Sequence, residues 1–148
     1  MGPFTVDASV FLNAFNPYEQ GHEESHGLLT RLQTEAIPIV VPTLLLPEVA
    51  GTIARGRQDP SLAREFSRAL SRLPHVVFVP LDAAQAQRAL EVAAEYRLRG
   101  SDAVYATVAL QFGSTLVTLD REQRERVAEV VPTQRPSEAI PKSSGPTQ

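Results

Sequence analysis

The chain has 148 residues, a formal net charge of −3 and no cysteine. This length suits one domain, and the lack of cysteine excludes disulfide frameworks, thiolate zinc sites and cysteine nucleophiles. The negative charge provides no global basic field for nucleic acid, and Lys142 is the one lysine among the 14 basic residues, so no central lysine is present for a phosphate loop or a Schiff base.

Targeting signals are not evident. No apolar run approaches the roughly 20 residues of a membrane span, and the N-terminus lacks a basic region followed by an apolar one. A chain without cysteine suits a reducing compartment. We therefore expect a cytoplasmic protein with no membrane segment.

The chain opens with a strand that leads directly into a helix. Residues 4–6 predict a short buried strand, which runs through Asp7 into a helix over residues 8–14. An amphipathic helix over residues 20–35 and a second buried strand at residues 37–41 follow. Asp7 follows the first strand, and an Asp at the end of a buried strand lies where open α/β sheets bind their ligands.

The rest of the chain continues to alternate helices and strands. In chain order, the pattern predicts a helix over 44–56, a helix over 62–73, a strand at 75–79, helices over 82–98 and 103–112, a strand at 114–118, a helix over 121–127 and a fifth strand at 130–131. Thr43, Asp82, Asp102 and Asp120 are placed to begin helices, and Gly113 is placed to end one.

This alternation predicts an α/β fold with a parallel sheet of about five strands covered on both faces by helices. We expect one domain over residues 1–135. From residue 136 the composition shifts to Pro, Ser, Gly and Thr, so residues 136–148 are expected to form a disordered tail.

Four carboxylates in apolar surroundings are the candidate functional groups: Asp7, Glu48, Asp102 and Asp120. Helix capping alone explains Asp102 and Asp120, and it explains Asp7 less well because that residue is wedged between apolar runs. Glu48 is the hardest to explain structurally, since ionising a lone Glu on a buried helix edge is costly. Asp82 also follows a strand, and capping is its preferred interpretation.

Together these acids indicate a metal site. Carboxylates brought close together repel one another unless a cation holds them. Mg²⁺ or Mn²⁺ suits a site made only of oxygen ligands, and such a cation can orient a phosphodiester and activate water for its hydrolysis. The sequence leaves open whether one ion or two would bind.

The chain resembles PIN domains, and most closely the VapC-type ribonucleases of toxin–antitoxin pairs. The matching pieces are residues 6–10 (VDASV), 42–49 (PTLLLPEV), 101–109 (SDAVYATVA) and 116–120 (LVTLD), in order within a similarity that runs from about residue 4 to residue 131. The resemblance implies a three-layer sandwich in which Asp7, Glu48, Asp102 and Asp120 surround Mg²⁺ or Mn²⁺ and support RNA hydrolysis.

The same resemblance implies further details. Thr118 would join the hydrogen bonding of the site, with Ser9 beside it, and Asp82 would lie away from the centre. Some relatives carry another acid after the last Asp, for which Glu122 and Glu125 are both open candidates. The relatives usually form homodimers and are silenced by an antitoxin protein, so an RNA substrate, a homodimer and a cognate antitoxin are the expected partners.

Arginines near these elements offer a weaker signal. Most of them are explained as solvated helix faces that balance nearby Glu. A subset is expected to contact RNA phosphates, with Arg97, Arg99 and Arg121 as candidates.

Two other interpretations remain open. One is a PIN-like domain without the toxin role, either an RNA-processing nuclease or a catalytically silent module that binds RNA or a partner. The other is a zinc hydrolase, because His22 and His26 fit an H-E-x-x-H pattern and Glu48 follows at a distance suited to a third ligand. Gly21 and Gly27 flank this pattern and weaken the helix that it needs.

Overall fold

The computed structural model describes residues 2–140. The strands are β1 (Phe4–Val6), β2 (Ile39–Pro42), β3 (Val76–Val79), β4 (Thr115–Val117) and β5 (Thr133–Gln134). The helices are α1 (Ala8–Phe15), α2 (His22–Thr34), α3 (Leu45–Arg57), α4 (Pro60–Ser71), α5 (Ala83–Tyr96), α6 (Gly100–Phe112), α7 (Arg121–Val127) and α8 (Pro136–Ala139). The predicted α/β class is confirmed. None of the helices in residues 2–140 combines the length and apolarity needed to cross a bilayer.

The five strands form one parallel sheet in the order β3-β2-β1-β4-β5. The central strand β1 pairs with β2 on one side and with β4 on the other. The strand order therefore reverses beside β1, and the connections that leave β1 and β4 diverge there. Such a switch point opens a crevice at the carboxyl edge of a parallel sheet.

Helices cover both faces of the sheet and make the fold a three-layer sandwich. Val6 and Val117 pack with α1 to α4 on one face, whereas Leu116 packs with α6 and α7 on the other. Helix α6 is buried without interruption from Asp102 to Ala109. A helix buried this fully is held by the core on several sides, which fixes the positions of the side chains it carries.

The C-terminal part of the domain differs from the sequence prediction in two ways. The fifth strand is Thr133–Gln134 and pairs with β4, so its predicted place at residues 130–131 was wrong. The predicted disordered tail was wrong for residues 136–139, which form α8 with Pro136 in its first turn and Ala139 buried against the core. The remainder of the predicted tail, residues 141–148, lies outside the described residues.

Two helix starts also differ from prediction. The Thr43 hydroxyl does not cap α3 but accepts a 3.0 Å hydrogen bond from the backbone amide of Leu81. Helix α6 begins at Gly100, because this glycine and Ser101 take helical conformations instead of breaking the chain. Asp102 consequently lies inside the first turn, which turns its side chain toward the core.

Candidate functional site

A cavity of about 240 Å³ contains all four predicted acids. Asp7 follows β1, Glu48 lies in the first turn of α3, Asp102 in the first turn of α6, and Asp120 begins α7. The other polar residues that line the cavity are Ser9, Thr52, Ser101, Tyr105 and Gln123. The sheet thus brings together residues separated by more than a hundred positions in sequence.

Asp7 is buried and its carboxylate is fixed by two donors. Oδ2 accepts a hydrogen bond of 3.1 Å from the Ser9 amide and one of 3.2 Å from the Thr118 hydroxyl. Because Ser9 lies in α1 and Thr118 follows β4, the two bonds tie the ends of the central strands together. The predicted involvement of Thr118 and Ser9 in hydrogen bonding around Asp7 agrees with this geometry.

The Thr118 hydroxyl is the centre of a buried network. It accepts a 3.0 Å hydrogen bond from the Asp120 amide and lies 2.7 Å from the side-chain amide of Gln123, which is 4% exposed. The atom of Gln123 nearest to this hydroxyl is Oε1, which accepts from Thr118, and Asp7 Oδ2 is the second acceptor at 3.2 Å. A hydroxyl has a single proton, so Thr118 shares it between the two acceptors, and the contact to Gln123 is the shorter.

Glu48 is half-buried and accepts a 2.7 Å hydrogen bond on Oε1 from the hydroxyl of Tyr105. Burial raises the pKa of Glu48, the hydrogen bond from Tyr105 opposes that rise, and the negative charges of Asp7 and Asp102 add to it. The ionised Glu48 is therefore held in an environment that disfavours its charge.

Asp102 is 7% exposed, and burial together with the charge of Asp120 raises its pKa. Arg126 and Arg99 act in the opposite direction, and Nη1 of Arg126 lies 4.0 Å from Asp102 Oδ2. Asp102 does not cap α6, because residue 99 is the N-cap position, so the capping interpretation was wrong here.

Asp120 combines a structural position with a place in the cavity. Its Oδ1 accepts hydrogen bonds from the amides of Glu122 at 2.9 Å and Gln123 at 3.2 Å, so the capping interpretation is confirmed. The same side chain lines the cavity and raises the pKa of Asp102. Capping and proximity to the other acids are therefore compatible for this residue.

The acids share a cavity without closing on a common point. Within residues 2–140, no three His, Cys, Asp or Glu side chains converge closely enough to hold a metal ion as they stand. The chemistry of the donors nevertheless fits a hard divalent cation, since the cavity contains carboxylates with no His or Cys among its lining residues. Burial first, and the repulsion from the other acids after it, raises the pKa values of Glu48 and Asp102, and such a cation would relieve the repulsion.

Of the three predicted arginines, Arg99 lies close enough to the cavity to affect Asp102, and Arg97 and Arg121 do not contact it. Arg99 contacts Glu122 at 3.4 Å and lowers the pKa of Asp102. Arg121 is exposed and pairs with Glu125 at 2.9 Å, and Arg97 ends α5 in a left-handed conformation. Neither Arg97 nor Arg121 lines the cavity.

One arginine was not singled out from the sequence. Arg126 contacts Glu122 at 3.3 Å in addition to facing Asp102. Glu122 therefore lies between Arg99 and Arg126, and Glu125 is paired with Arg121. Neither glutamate lines the cavity, so neither joins the four acids in this structure.

The H-E-x-x-H pattern does not gather a third ligand. His22 and His26 stack at 5.4 Å between ring centres on α2, and Nδ1 of His22 lies 2.9 Å from the carbonyl oxygen of Asn13. Glu48, the proposed third ligand, faces the acidic cavity and binds Tyr105 instead. The geometry gives the zinc hydrolase interpretation no support.

Four polar residues of the cavity were missed in the sequence: Thr52, Ser101, Tyr105 and Gln123. A buried tyrosine usually finds a partner for its hydroxyl, so a Tyr one helical turn after Asp102 was a usable signal. Gln123 gave none, because it lies within the charged run of residues 121–126.

Comparison with known proteins identifies the fold. The sequence matches the model of the family described as PIN domain over residues 4–129. Among curated proteins, none matches the sequence significantly.

Solved structures show the same architecture at low sequence identity. The VapBC2 structure of Rickettsia felis, bound to a DNA fragment from its promoter, has a TM-score of 0.68 and 13% identity, covering 90% of this chain and 98% of that one. The Mycobacterium tuberculosis toxin VapC20, described as cleaving the sarcin–ricin loop, has a TM-score of 0.64 and 19% identity, covering 82% and 92%. VapBC of Salmonella typhimurium, bound to DNA, has a TM-score of 0.64 and 16% identity, covering 92% and 99%. With its family model matched over most of its length, this chain belongs to the PIN-domain family.

Proposed function

We propose that this protein is a divalent-metal-dependent endoribonuclease of the VapC type, acting as the toxin of a toxin–antitoxin pair. The observation that carries the proposal is that four carboxylates, each from a different element, line one cavity at the switch point of the sheet. A structural role alone does not explain why two of them, Glu48 and Asp102, are held at a cost to their ionisation.

Asp7, Glu48, Asp102 and Asp120 would hold Mg²⁺ or Mn²⁺ directly or through water. When bound, the cation orients the scissile phosphodiester, lowers the pKa of the attacking water and stabilises the leaving oxygen. The chain contributes the arrangement: Thr118 keeps Asp7 in one orientation, and Tyr105 does the same for Glu48. These bonds limit the rearrangement needed when the substrate arrives.

The RNA backbone requires positive charge beside an acidic cavity. Arg99 and Arg126 lie on the Asp102 side of the cavity and are the described cations that lower the pKa of Asp102. We assign them to contact RNA phosphates next to the cut. Arg97 and Arg121 remain weaker candidates that would contact RNA farther from the cavity.

The partners follow from the relatives. The similar structures from Rickettsia felis and Salmonella typhimurium are toxin–antitoxin assemblies, and the Mycobacterium tuberculosis relative cleaves an RNA loop. We therefore propose a cognate antitoxin and an RNA substrate for this chain. The family resemblance adds a homodimer to this proposal, and we propose the cytoplasm as its location.

The direct test is cleavage of RNA by the purified chain with Mg²⁺ or Mn²⁺, compared between two matched variants. Asp7→Asn should reduce the rate by at least about 100-fold, since it removes a charge that holds the cation. Asp82→Asn is the control, because Asp82 also follows a strand and caps a helix but lies outside the cavity. Asn caps helices as well as Asp does, so this variant should cleave at the parental rate.

Three results would contradict the proposal. A chain that binds RNA but does not cleave it with any divalent cation would be a catalytically silent binding module. Equal rates for Asp7→Asn and the parent would remove the assigned site. Cleavage without any neighbouring antitoxin gene would instead favour an RNA-processing nuclease over a toxin.

A further inference from the structure

The hydrogen bonds around the cavity divide three of the four carboxylates into a held oxygen and an open one, whereas Asp102 has, in the described part of the chain, only a 4.0 Å ion-pair contact with Arg126. Oδ2 of Asp7 accepts from Ser9 and Thr118, and Oε1 of Glu48 accepts from Tyr105. At Asp120, Oδ1 accepts from two backbone amides of α7. Within residues 2–140, no protein hydrogen bond reaches the second oxygen of these three side chains. Each is therefore prepared to offer a cation one oxygen.

Tyr105 is the residue whose hydrogen bond holds one of the two carboxylate oxygens of Glu48. Its side chain is fully buried, and its hydroxyl lies 2.7 Å from Glu48 Oε1. Tyr105 also lies one helical turn after Asp102 on α6. A single hydroxyl thereby links α6, which carries Asp102, to Glu48 on α3.

The number of oxygens that a carboxylate offers distinguishes between cations. Ca²⁺ takes six to eight oxygen ligands in flexible geometry and commonly uses both oxygens of a carboxylate. Mg²⁺ requires near-octahedral geometry and is usually held by one or two carboxylates, with water completing its shell. A carboxylate oxygen that already accepts a hydrogen bond from a fixed donor keeps one lone pair for a cation, so binding through both oxygens is more restricted in geometry than binding through the open oxygen alone.

We propose that Tyr105 is a positioning residue that makes Glu48 a one-oxygen ligand, and that the same arrangement, with Thr118 at Asp7, makes the cavity select Mg²⁺ and Mn²⁺ over Ca²⁺. This inference rests on the proposed function, since it concerns the cation of the same site. Tyr105 touches neither substrate nor cation, and it acts through Glu48. The bond that it donates decides which ion is held.

The test measures binding of each metal alone, by calorimetry on the full chain without RNA. The parent should bind Mg²⁺ and Mn²⁺ at least about tenfold more tightly than it binds the larger cation Ca²⁺. In Tyr105→Phe, which keeps the ring and loses only the hydroxyl, Mg²⁺ affinity should fall about tenfold, the lower end of the range for residues that orient metal ligands. Ca²⁺ affinity should hold or rise, because Glu48 is then free to offer both oxygens.

The control is Thr107→Val. Thr107 is buried on the same helix and donates a 2.6 Å hydrogen bond to the Ala103 carbonyl, but it does not line the cavity. Removing this hydroxyl costs the helix a buried bond without touching an acid. Both affinities should therefore match those of the parent, which separates an effect on ion choice from a general loss of stability.

The outcomes separate this inference from the proposed function. A parent that binds no divalent cation overturns both. If the parent prefers Mg²⁺ and Tyr105→Phe has the same ratio of Ca²⁺ to Mg²⁺ affinity, the inference is overturned and the proposed function is not. If Tyr105→Phe does not fold, the parent still decides the question: a parent that binds Ca²⁺ as tightly as Mg²⁺ would overturn the inference.

Discussion

Thr118→Val should destabilise the domain as well as the site. Thr118 is fully buried, and valine has nearly the same shape without the hydroxyl. The change removes the donor to Asp7 and leaves the buried side-chain amide of Gln123 without its 2.7 Å partner. Ser9 still holds Asp7, and the Asp120 amide lies in an exposed residue that water can reach.

The expected loss follows from these contacts. A buried polar group left without a partner costs about 1–3 kcal/mol, and a lost hydrogen bond to a charged group adds about 1.5 kcal/mol. We expect the free energy of unfolding to fall by about 3 kcal/mol in total. For a domain of this size, that corresponds to a drop in Tm of roughly 10 °C.

Urea denaturation in the presence of a chelator measures this loss without any cation. Thr5→Val is the matched control: Thr5 is equally buried on the neighbouring strand, and its hydroxyl lies 2.6 Å from that of Ser114. It should cost about 1 kcal/mol, because Ser114 alone loses a partner. The stability reasoning would be refuted if Thr118→Val cost no more than Thr5→Val, and the site assignment would be refuted if both variants bound Mn²⁺ as the parent does.

Three further changes test other parts of the structure. Because the pKa of Glu48 is raised in the folded chain, its contribution to stability is present below the ordinary value of 4.5 and is lost as the pH rises through the folded value. Glu48→Gln should therefore stabilise the metal-free chain at pH 7 and not at pH 4. Urea denaturation at both pH values measures this. Ile140→Ala should cost about 1–2 kcal/mol, because Cδ1 of Ile140 lies 3.8 Å from the place that a Cβ on Gly27 would take; an unchanged denaturation midpoint would contradict this packing. His22→Ala should leave RNA cleavage unchanged and bind no less zinc than the parent, and loss of stoichiometric zinc would restore the hydrolase interpretation.

The sequence predicted the central part of the fold because two strong signals agree there. Continuous apolar runs identified β1, β2 and β4, and two-sided burial in a parallel sheet requires such runs. The peripheral strand β5 was predicted too early in the chain. Val131 is apolar because it packs in the core, and this signal was mistaken for a strand. The actual strand, Thr133–Gln134, lies at the sheet edge and is only partly buried. Helix α8 was missed because its composition is that of a disordered tail, although Glu138 supports its start by accepting a bond from the Arg135 amide.

The sequence predicted which acids line the cavity but not which groups orient them. All four acids were identifiable as carboxylates in apolar surroundings, and the family resemblance implied that they share one site. The groups that orient them were harder to find, because a hydroxyl such as that of Tyr105 has no sequence signature until the fold shows which carboxylate it meets. Local pattern predicts elements, whereas the partners of buried polar groups depend on contacts between distant elements.

The spread of the four acids along the chain has a consequence for protein synthesis. A ribosome making this protein delivers the first carboxylate at position 7 and the last at position 120, and no fragment short of that point contains the complete set. Under the proposed function, nascent chains and proteolytic pieces that lack Asp120 would not hydrolyse RNA, and activity would appear once the closing strands join the sheet. A cell that makes this protein would then have the translation time of the message in which to prepare the proposed antitoxin.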